Sequence, residues 1–160
     1  MQFQTIATLL AFSASTLASA IDIHADVRAT CKPIYKDIIY NCGSSSDLLT
    51  IKNISISPDQ PVRGQKLYIK ADGYLKERVT GGNVHVEATR GIFKVARDYD
   101  ICKTAPEYGK ECPFEQGDVS FDGSVDVDKD IAPGKYNVDV LATSNNNKVI
   151  SKLNLKVLVR

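Results

Sequence analysis

The chain has 160 residues, with 20 basic and 19 acidic side chains and a formal net charge of +1. These charges are interspersed, and no block of five residues has one sign, so the composition excludes a nucleic-acid partner held by long-range attraction. The length is that of one domain with a single hydrophobic core.

The first twenty residues carry no charged side chain, contain an apolar run over 6–12 and end in Ala18-Ser19-Ala20. This pattern is typical of a secretory signal peptide, and no later run is long and apolar enough to span a bilayer. We predict a signal peptide over 1–20, an N-terminal segment over 21–46 and a folded domain over 47–160. The expected location is outside the cell or in the vacuolar or lysosomal lumen.

Residues 21–46 give mixed signals and are expected to wrap the folded domain rather than form part of it. The rest of the chain predicts seven strands, at 48–57, 66–75, 83–90, 92–100, 118–127, 135–143 and 148–159. Several alternate cleanly, as in residues 83–88, where Val84, Val86 and Ala88 share one face. No helical period is evident, so we predict an all-β, immunoglobulin-like antiparallel β-sandwich.

Four cysteines, Cys31, Cys42, Cys102 and Cys112, predict two disulfides in an oxidising compartment. Three pairings are possible, and the residues alone do not choose among them. Pairing Cys31 with Cys42 and Cys102 with Cys112 closes two short loops. A zinc site is disfavoured because no close Cys or His set is present, and we expect neither metal nor cofactor.

No catalytic set can be assembled, so the sequence predicts a protein that is not an enzyme, and a secreted hydrolase is the weakest hypothesis. His24 lies near the predicted mature N-terminus, and His85 lies beside Glu87 on a solvated strand face. Three alternating carboxylates could bind calcium, namely those of Asp126, Asp128 and Asp130. The sequence around them lacks the twelve-residue calcium-binding loop with its terminal Glu. Asn53 begins a glycosylation sequon and, if it is glycosylated, must face outward.

Four segments carry a resemblance to a known family: residues 42–75, with a Pro-x-x-Pro-x-x-Gly turn, and residues 83–102, 112–118 and 131–150. Together they resemble the secreted lipid-recognition family called the ML domain. The resemblance is strongest to its fungal phosphatidylglycerol/phosphatidylinositol transfer branch, relatives of the Niemann-Pick type C sterol carrier. It covers residues 42–157.

The resemblance implies two slightly splayed sheets with an apolar cavity that holds one phospholipid or sterol noncovalently and carries it between membranes. It further implies transient membrane contact, a monomer and a membrane receptor that accepts the lipid. The family usually pairs the cysteine matching Cys42 with one on the last strand, where this chain has Lys152, so Cys31 is the implied replacement.

The candidate lipid-binding residues are the apolar and aromatic side chains on the inward faces of the strands and at the Cys102–Cys112 loop, with Phe114 expected at the cavity mouth. They are Val84, Val86, Ala88, Phe93, Val95, Tyr99, Ile101, Pro113, Phe114, Phe121, Tyr136, Val138 and Val140. The same residues are typical of a filled core. The alternative is therefore an immunoglobulin-like recognition module that has a solid core and binds protein or glycan.

Overall fold

The computed structural model describes residues 31–160, in which nine strands and one short helical segment follow in chain order. The strands are β1 (Lys32–Tyr35), β2 (Ile39–Asn41), β3 (Leu49–Ser57), β4 (Lys66–Leu75), β5 (Gly82–Arg90), β6 (Phe93–Asp100), β7 (Gly117–Asp126), β8 (Gly134–Ser144) and β9 (Val149–Val159). Between β6 and β7 lie the helix α1 (Ile101–Thr104) and a 3-10 turn (Ala105–Tyr108). Within this part of the chain, no helix has the length and hydropathy of a membrane span.

The strands form two antiparallel sheets. The larger has six strands in the order β1-β2-β9-β8-β5-β6, and the smaller has three in the order β3-β4-β7. All seven predicted strands are present as β3 to β9, with bounds that differ by at most one residue. The prediction of an all-β sandwich is confirmed.

The N-terminal segment differs from its prediction. Instead of wrapping the sandwich, residues 32–41 form β1 and β2, and β2 pairs with β9 through Ile39 opposite Leu155. Ile39 is fully buried. Strands of three and four residues are too short for an alternating pattern to identify them, and their partner lies at the other end of the chain.

The helical segment was also not predicted, because four residues are too few to show a helical period. Its N-cap is Asp100, whose carboxylate accepts a hydrogen bond from the Lys103 amide at 2.9 Å. Gly109 ends the 3-10 turn in the left-handed conformation, with φ at 66°. We call residues 101–112 the helical loop.

Both short-range disulfides are present. Cys31–Cys42 joins the start of β1 to the end of β2, and Cys102–Cys112 closes the helical loop. The Cys42 amide donates to the Lys152 carbonyl at 2.9 Å. Lys152 therefore lies beside Cys42, at the position that the resemblance assigns to a cysteine, and a backbone hydrogen bond links these two segments. The predicted signal peptide and His24 lie outside the described residues.

Two clusters of buried side chains form the core between the sheets. The first cluster comprises Leu48, Leu75, Val79, Ala142 and Ile150, and the second comprises Ile39, Ile54, Ile56 and Leu67. The sheets approach each other most closely where β3 lies against β1 and β9. We call this side the closed edge of the sandwich.

Candidate functional site

The unequal widths of the two sheets leave part of the larger one without a partner. At about 4.8 Å per strand, six strands are about 29 Å wide and three are about 14 Å wide. Because β3 lies at the closed edge, the uncovered strands of the larger sheet are those at its other side, β5 and β6. We call the gap between β6 and β7 the open edge.

Strand register shows which side chains face this gap. Val84 packs against the first core cluster, so its face of β5 is the inner one, and Val86 and Ala88 share it by alternation. In β8, Val140 is paired with Val86 and Val138 with Ala88. Residues directly opposite in antiparallel strands project to the same side, so these four side chains form a continuous apolar surface.

The four residues of this surface belong to neither core cluster. Val86, Ala88, Val138 and Val140 are each only half-buried, although they occupy central strands. Phe121 from β7 and Tyr136 from β8 are likewise half-buried and outside both clusters. The inner face of β5 and β8 is therefore apolar and only partly covered, whereas the side chains of the two clusters are buried.

The inner face of β6 is the most exposed part of this lining. Phe93 is 68% exposed, Val95 is 59% exposed and Tyr99 is 42% exposed. Their strand partners are Arg90, Ala88 and Val84, which confirms that they face the same side as the rest of the lining. These three predicted site residues therefore form the rim of the open edge.

The helical loop spans part of the open edge. The helix α1 contacts β5 and β6, and the 3-10 turn contacts β7. At the end of this turn, the Tyr108 ring packs against Phe121 with 5.0 Å between ring centroids. A Cβ atom on Gly123 would lie 2.7 Å from Tyr108 Cδ1, so only glycine leaves room for this ring. Burial, with smaller contributions from Glu107 and Tyr99, raises the pKa of Tyr108 above its ordinary value.

Four predicted site residues lie elsewhere. Val84, Ile101 and Phe114 pack against the first core cluster, so they close that end of the gap. Phe114 is fixed there by two backbone hydrogen bonds of 2.9 Å with Val79. Pro113 is exposed beside it. The structure thus places Tyr108 over the open edge and Phe114 beside the first core cluster.

Sequence reasoning omitted several inward-facing residues. Leu153 and Leu155 of β9 are paired with Val140 and Val138, and both pack against the second cluster. The alternation in the last strand was sufficient to identify them. By contrast, no pattern marks Tyr108, whose position depends on the fold of the helical loop.

Polar candidates lie on the outer surface. His85 Nδ1 lies 2.8 Å from Asp98 Oδ1, and Asn83 donates to the same oxygen at 2.9 Å. These hydrogen bonds, mainly the one with His85, hold the pKa of Asp98 below its ordinary value. Asn53 is exposed on β3, as a glycosylation site requires.

The three carboxylates considered for calcium do not converge. Asp126 pairs with Lys66 across β4 and β7 at 3.0 Å, and Asp128 accepts a hydrogen bond from the Asp130 amide. Across residues 31–160, no three His, Cys, Asp or Glu side chains are grouped as metal ligands would be.

Two shallow depressions occur on the surface. One, of about 230 Å³, lies beside Lys135, Tyr136 and Lys156, and the other, of about 260 Å³, lies beside Lys52 and Asp118. Neither contains the apolar surface formed by β5 and β8. The half-buried apolar surface of β5 and β8 therefore remains the feature to be explained.

Comparison with known proteins identifies the class to which this architecture belongs. The family model described as the ML domain matches residues 36–158, so the chain belongs to the ML domain family. An Aspergillus fumigatus protein named phosphatidylglycerol/phosphatidylinositol transfer protein is 33% identical over 159 aligned residues, which cover 93% of this chain and 91% of that protein. The resemblance noted in the sequence is confirmed.

Solved structures agree with this fold. A Niemann-Pick type C2 protein from Japanese carpenter ant aligns with a TM-score of 0.63 at 14% identity, covering 75% of this chain and 97% of its own. Chicken MD-1 complexed with lipid IVa aligns with a TM-score of 0.53 at 13% identity, covering 80% and 94%. At these identities the likeness shows the fold alone.

Proposed function

We propose that the protein binds one lipid molecule noncovalently between its sheets and transfers it between membranes. The observation that carries this proposal is the half-buried apolar surface of Val86, Ala88, Val138 and Val140, which neither core cluster fills. An acyl chain or a sterol ring system is the ligand that an apolar, unfilled surface of this kind accepts.

The energetics support lipid as the cargo. A sixteen-carbon chain gains on the order of 12 kcal/mol on leaving water, at about 0.8 kcal/mol per methylene. It loses a comparable amount on leaving a bilayer, so a carrier must offer a similarly apolar surface. The open edge provides lateral access, which allows a chain to enter without unfolding the closed edge.

The names of the relatives guide the choice of lipid. Their cargo, by name, is phosphatidylglycerol or phosphatidylinositol. We infer that this chain carries a phospholipid of that kind, with a sterol as the second candidate. Carriage of this type uses only noncovalent contacts, in agreement with a protein that is not an enzyme.

Three features support a lumenal or extracellular location, where we place the protein as a monomer that passes its lipid to a membrane receptor. Both disulfides require an oxidising compartment to form and persist. Asn53 is exposed within its sequon and is available for glycosylation. The third is the signal peptide predicted over residues 1–20, which would direct the chain into the secretory pathway.

Native mass spectrometry tests the proposed function directly. The chain from residue 21 onward, produced in an oxidising secretory host, is expected to carry a one-to-one adduct of phospholipid or sterol mass that is lost on denaturation. Lipid analysis of the released material then identifies the cargo. A folded protein that arrives without lipid and takes up none from added lipids would favour a recognition module with a solid core.

A matched pair of variants locates the binding surface. Val86→Asp places a charge on the inner face of β5, whereas Thr89→Asp places the same charge on the outer face of the same strand. Lipid occupancy should be lost in Val86→Asp and retained in Thr89→Asp. Equal occupancy in two folded variants would show that the lipid is bound elsewhere.

A further inference from the structure

The hairpin that joins β5 to β6 ends in an exposed apolar tip. Gly91, with φ at 58°, occupies the first position of a two-residue turn, and Ile92 occupies the second. Ile92 is 94% exposed, and the adjacent Phe93 is 68% exposed. A tight turn needs no large apolar side chain for its own geometry, so the position of Ile92 is unexplained by the fold.

Cationic side chains flank this tip. Arg90 precedes the turn, and Lys94 and Arg97 follow it along β6. Lys94 pairs with Glu87 at 2.8 Å, whereas Arg90 and Arg97 make no salt bridge within residues 31–160. Within the described part of the chain, the two guanidinium groups are therefore available for contacts with a partner.

Register places these charges beside the lining of the open edge. Arg97 is paired with Val86, and Arg90 is paired with Phe93, so both belong to the inner face. A Cβ atom on Gly134 would lie 2.8 Å from Arg90 Nε, which shows that this side chain lies against the start of β8. On this face β5 and β6 carry apolar and basic residues, and their acidic residues, Glu87, Asp98 and Asp100, lie on the other face.

We propose that the tip of the β5–β6 hairpin, residues 90–97, is the surface through which the protein docks on a bilayer containing anionic phospholipids. This inference rests on the proposed function, because it identifies where a lipid carrier meets its donor membrane. Ile92 and Phe93 insert at the boundary between headgroups and acyl chains, and Arg90 and Arg97 contact lipid phosphates. Docking in this orientation brings the open edge against the membrane, so an acyl chain enters the sandwich from the side.

The chain contains no tryptophan, which permits a direct test. Ile92→Trp introduces a single fluorophore at the tip, and Tyr68→Trp introduces one on the outer face of β4, where Tyr68 is 53% exposed. With phosphatidylcholine vesicles that contain phosphatidylglycerol, the emission of Ile92→Trp should shift to the blue, and that of Tyr68→Trp should not. An Ile92→Trp spectrum unchanged by vesicles would overturn the proposed docking surface.

Charge substitutions measure the contribution of each part. Ile92→Asp should weaken vesicle binding by at least about tenfold, since it removes the apolar side chain that inserts into the bilayer and adds a charge repelled by anionic lipids. Tyr68→Asp is the matched control and should bind as the wild type does. Arg97→Gln should reduce binding to phosphatidylglycerol vesicles by about fivefold and leave weak binding to pure phosphatidylcholine vesicles unchanged.

Separate measurements test membrane docking by the hairpin and lipid binding between the sheets. Ile92→Asp should accept lipid from detergent micelles as the wild type does, yet extract it slowly from vesicles. If wild type and Ile92→Asp extract lipid from vesicles equally fast, the docking surface is wrong and the proposed function stands. If the wild type holds no lipid, the proposed function fails, and the Ile92→Trp spectrum still decides the docking surface.

Discussion

The closed and open edges of the sandwich are built from the same kinds of strand but differ in burial. At the closed edge, Ile54 and Ile56 of β3 alternate with polar residues and are buried. At the open edge, Phe93 and Val95 of β6 alternate in the same way and are exposed. The difference lies in the opposing layer, because β3 lies against β1 and β9, whereas β6 has no strand of the smaller sheet across from it.

This comparison separates the part of the molecule that provides stability from the part that is available to a ligand. The two core clusters supply the buried apolar area that stabilises the fold. The apolar surface of β5 and β8 and the rim of β6 are not fully buried in the protein alone. They add to stability only when an apolar ligand covers them. Function is therefore expected where alternating strands lack a partner layer.

The largest expected effect on stability is at the closed edge. Ile39→Ala removes a fully buried side chain and should reduce the free energy of unfolding by about 3 kcal/mol. Val95→Ala at the open edge should reduce it by less than about 0.5 kcal/mol, because Val95 is largely exposed. Urea unfolding at unchanged m-value measures both. Similar losses in the two variants would contradict the division into packed and unpacked edges.

The two disulfides offer a sharper comparison, because their sequence separations of 11 and 10 residues are nearly equal. Replacing either pair by serine should cost about 2.5 to 3 kcal/mol through the entropy of the unfolded chain. Lipid retention should differ, since Cys102–Cys112 closes the loop that carries Tyr108 over the open edge. Loss of this disulfide should speed lipid release, and loss of Cys31–Cys42 should not.

Fluorescent-lipid release from the two double variants, measured at a temperature where both remain folded, tests this expectation. Equal release rates would mean that the helical loop does not control the open edge.

How much of this fold could be predicted from the sequence depends on how far along the chain each sequence pattern carries information. Alternation is local, so it identified the inner faces of β5 and β8 and placed Val86 and Val140 correctly on them. It could not show that Val95 lacks a covering strand, because that depends on how many strands each sheet contains. Burial of a predicted face is a property of the partner layer and not of the strand itself.

The remaining errors have related causes. Strands β1 and β2 are stabilised by β9, more than a hundred residues later, and are too short to be recognised alone. Tyr108 lies between two cysteines in a segment without periodicity, and its contact with Phe121 exists only after the helical loop has folded over β7. Both features depend on contacts that are distant in sequence.

A smaller effect is expected from Tyr108 itself. Tyr108→Ala removes the ring that packs on Phe121 and should speed lipid release by about two- to tenfold, whereas Tyr108→Phe keeps the ring and should release lipid as the wild type does. Stopped-flow measurement of the release of a fluorescent phospholipid checks both variants. If Tyr108→Phe releases as fast as Tyr108→Ala, the hydroxyl rather than the ring is responsible, and the proposed role of ring packing is wrong.

The smallest effect concerns the outer face of the uncovered strands, where Asp98 contacts His85 and Asn83. Hydrogen bonds from these residues hold the pKa of Asp98 below the value of about 3.9 expected for the unfolded chain. The unfolded chain therefore takes up a proton first as the pH falls. The stabilising contribution of Asp98 is complete above that pKa and is lost as the pH falls through the lower pKa of the folded protein.

Carboxyl carbon NMR should accordingly show Asp98 titrating below its ordinary range in the wild type. In His85→Ala, which removes the larger of the two contributions, the pKa of Asp98 should move back toward its ordinary value. Because Asp98 is exposed, solvent screening keeps the effect on stability small. An Asp98 pKa that does not change in His85→Ala would show that this contact has no energetic role.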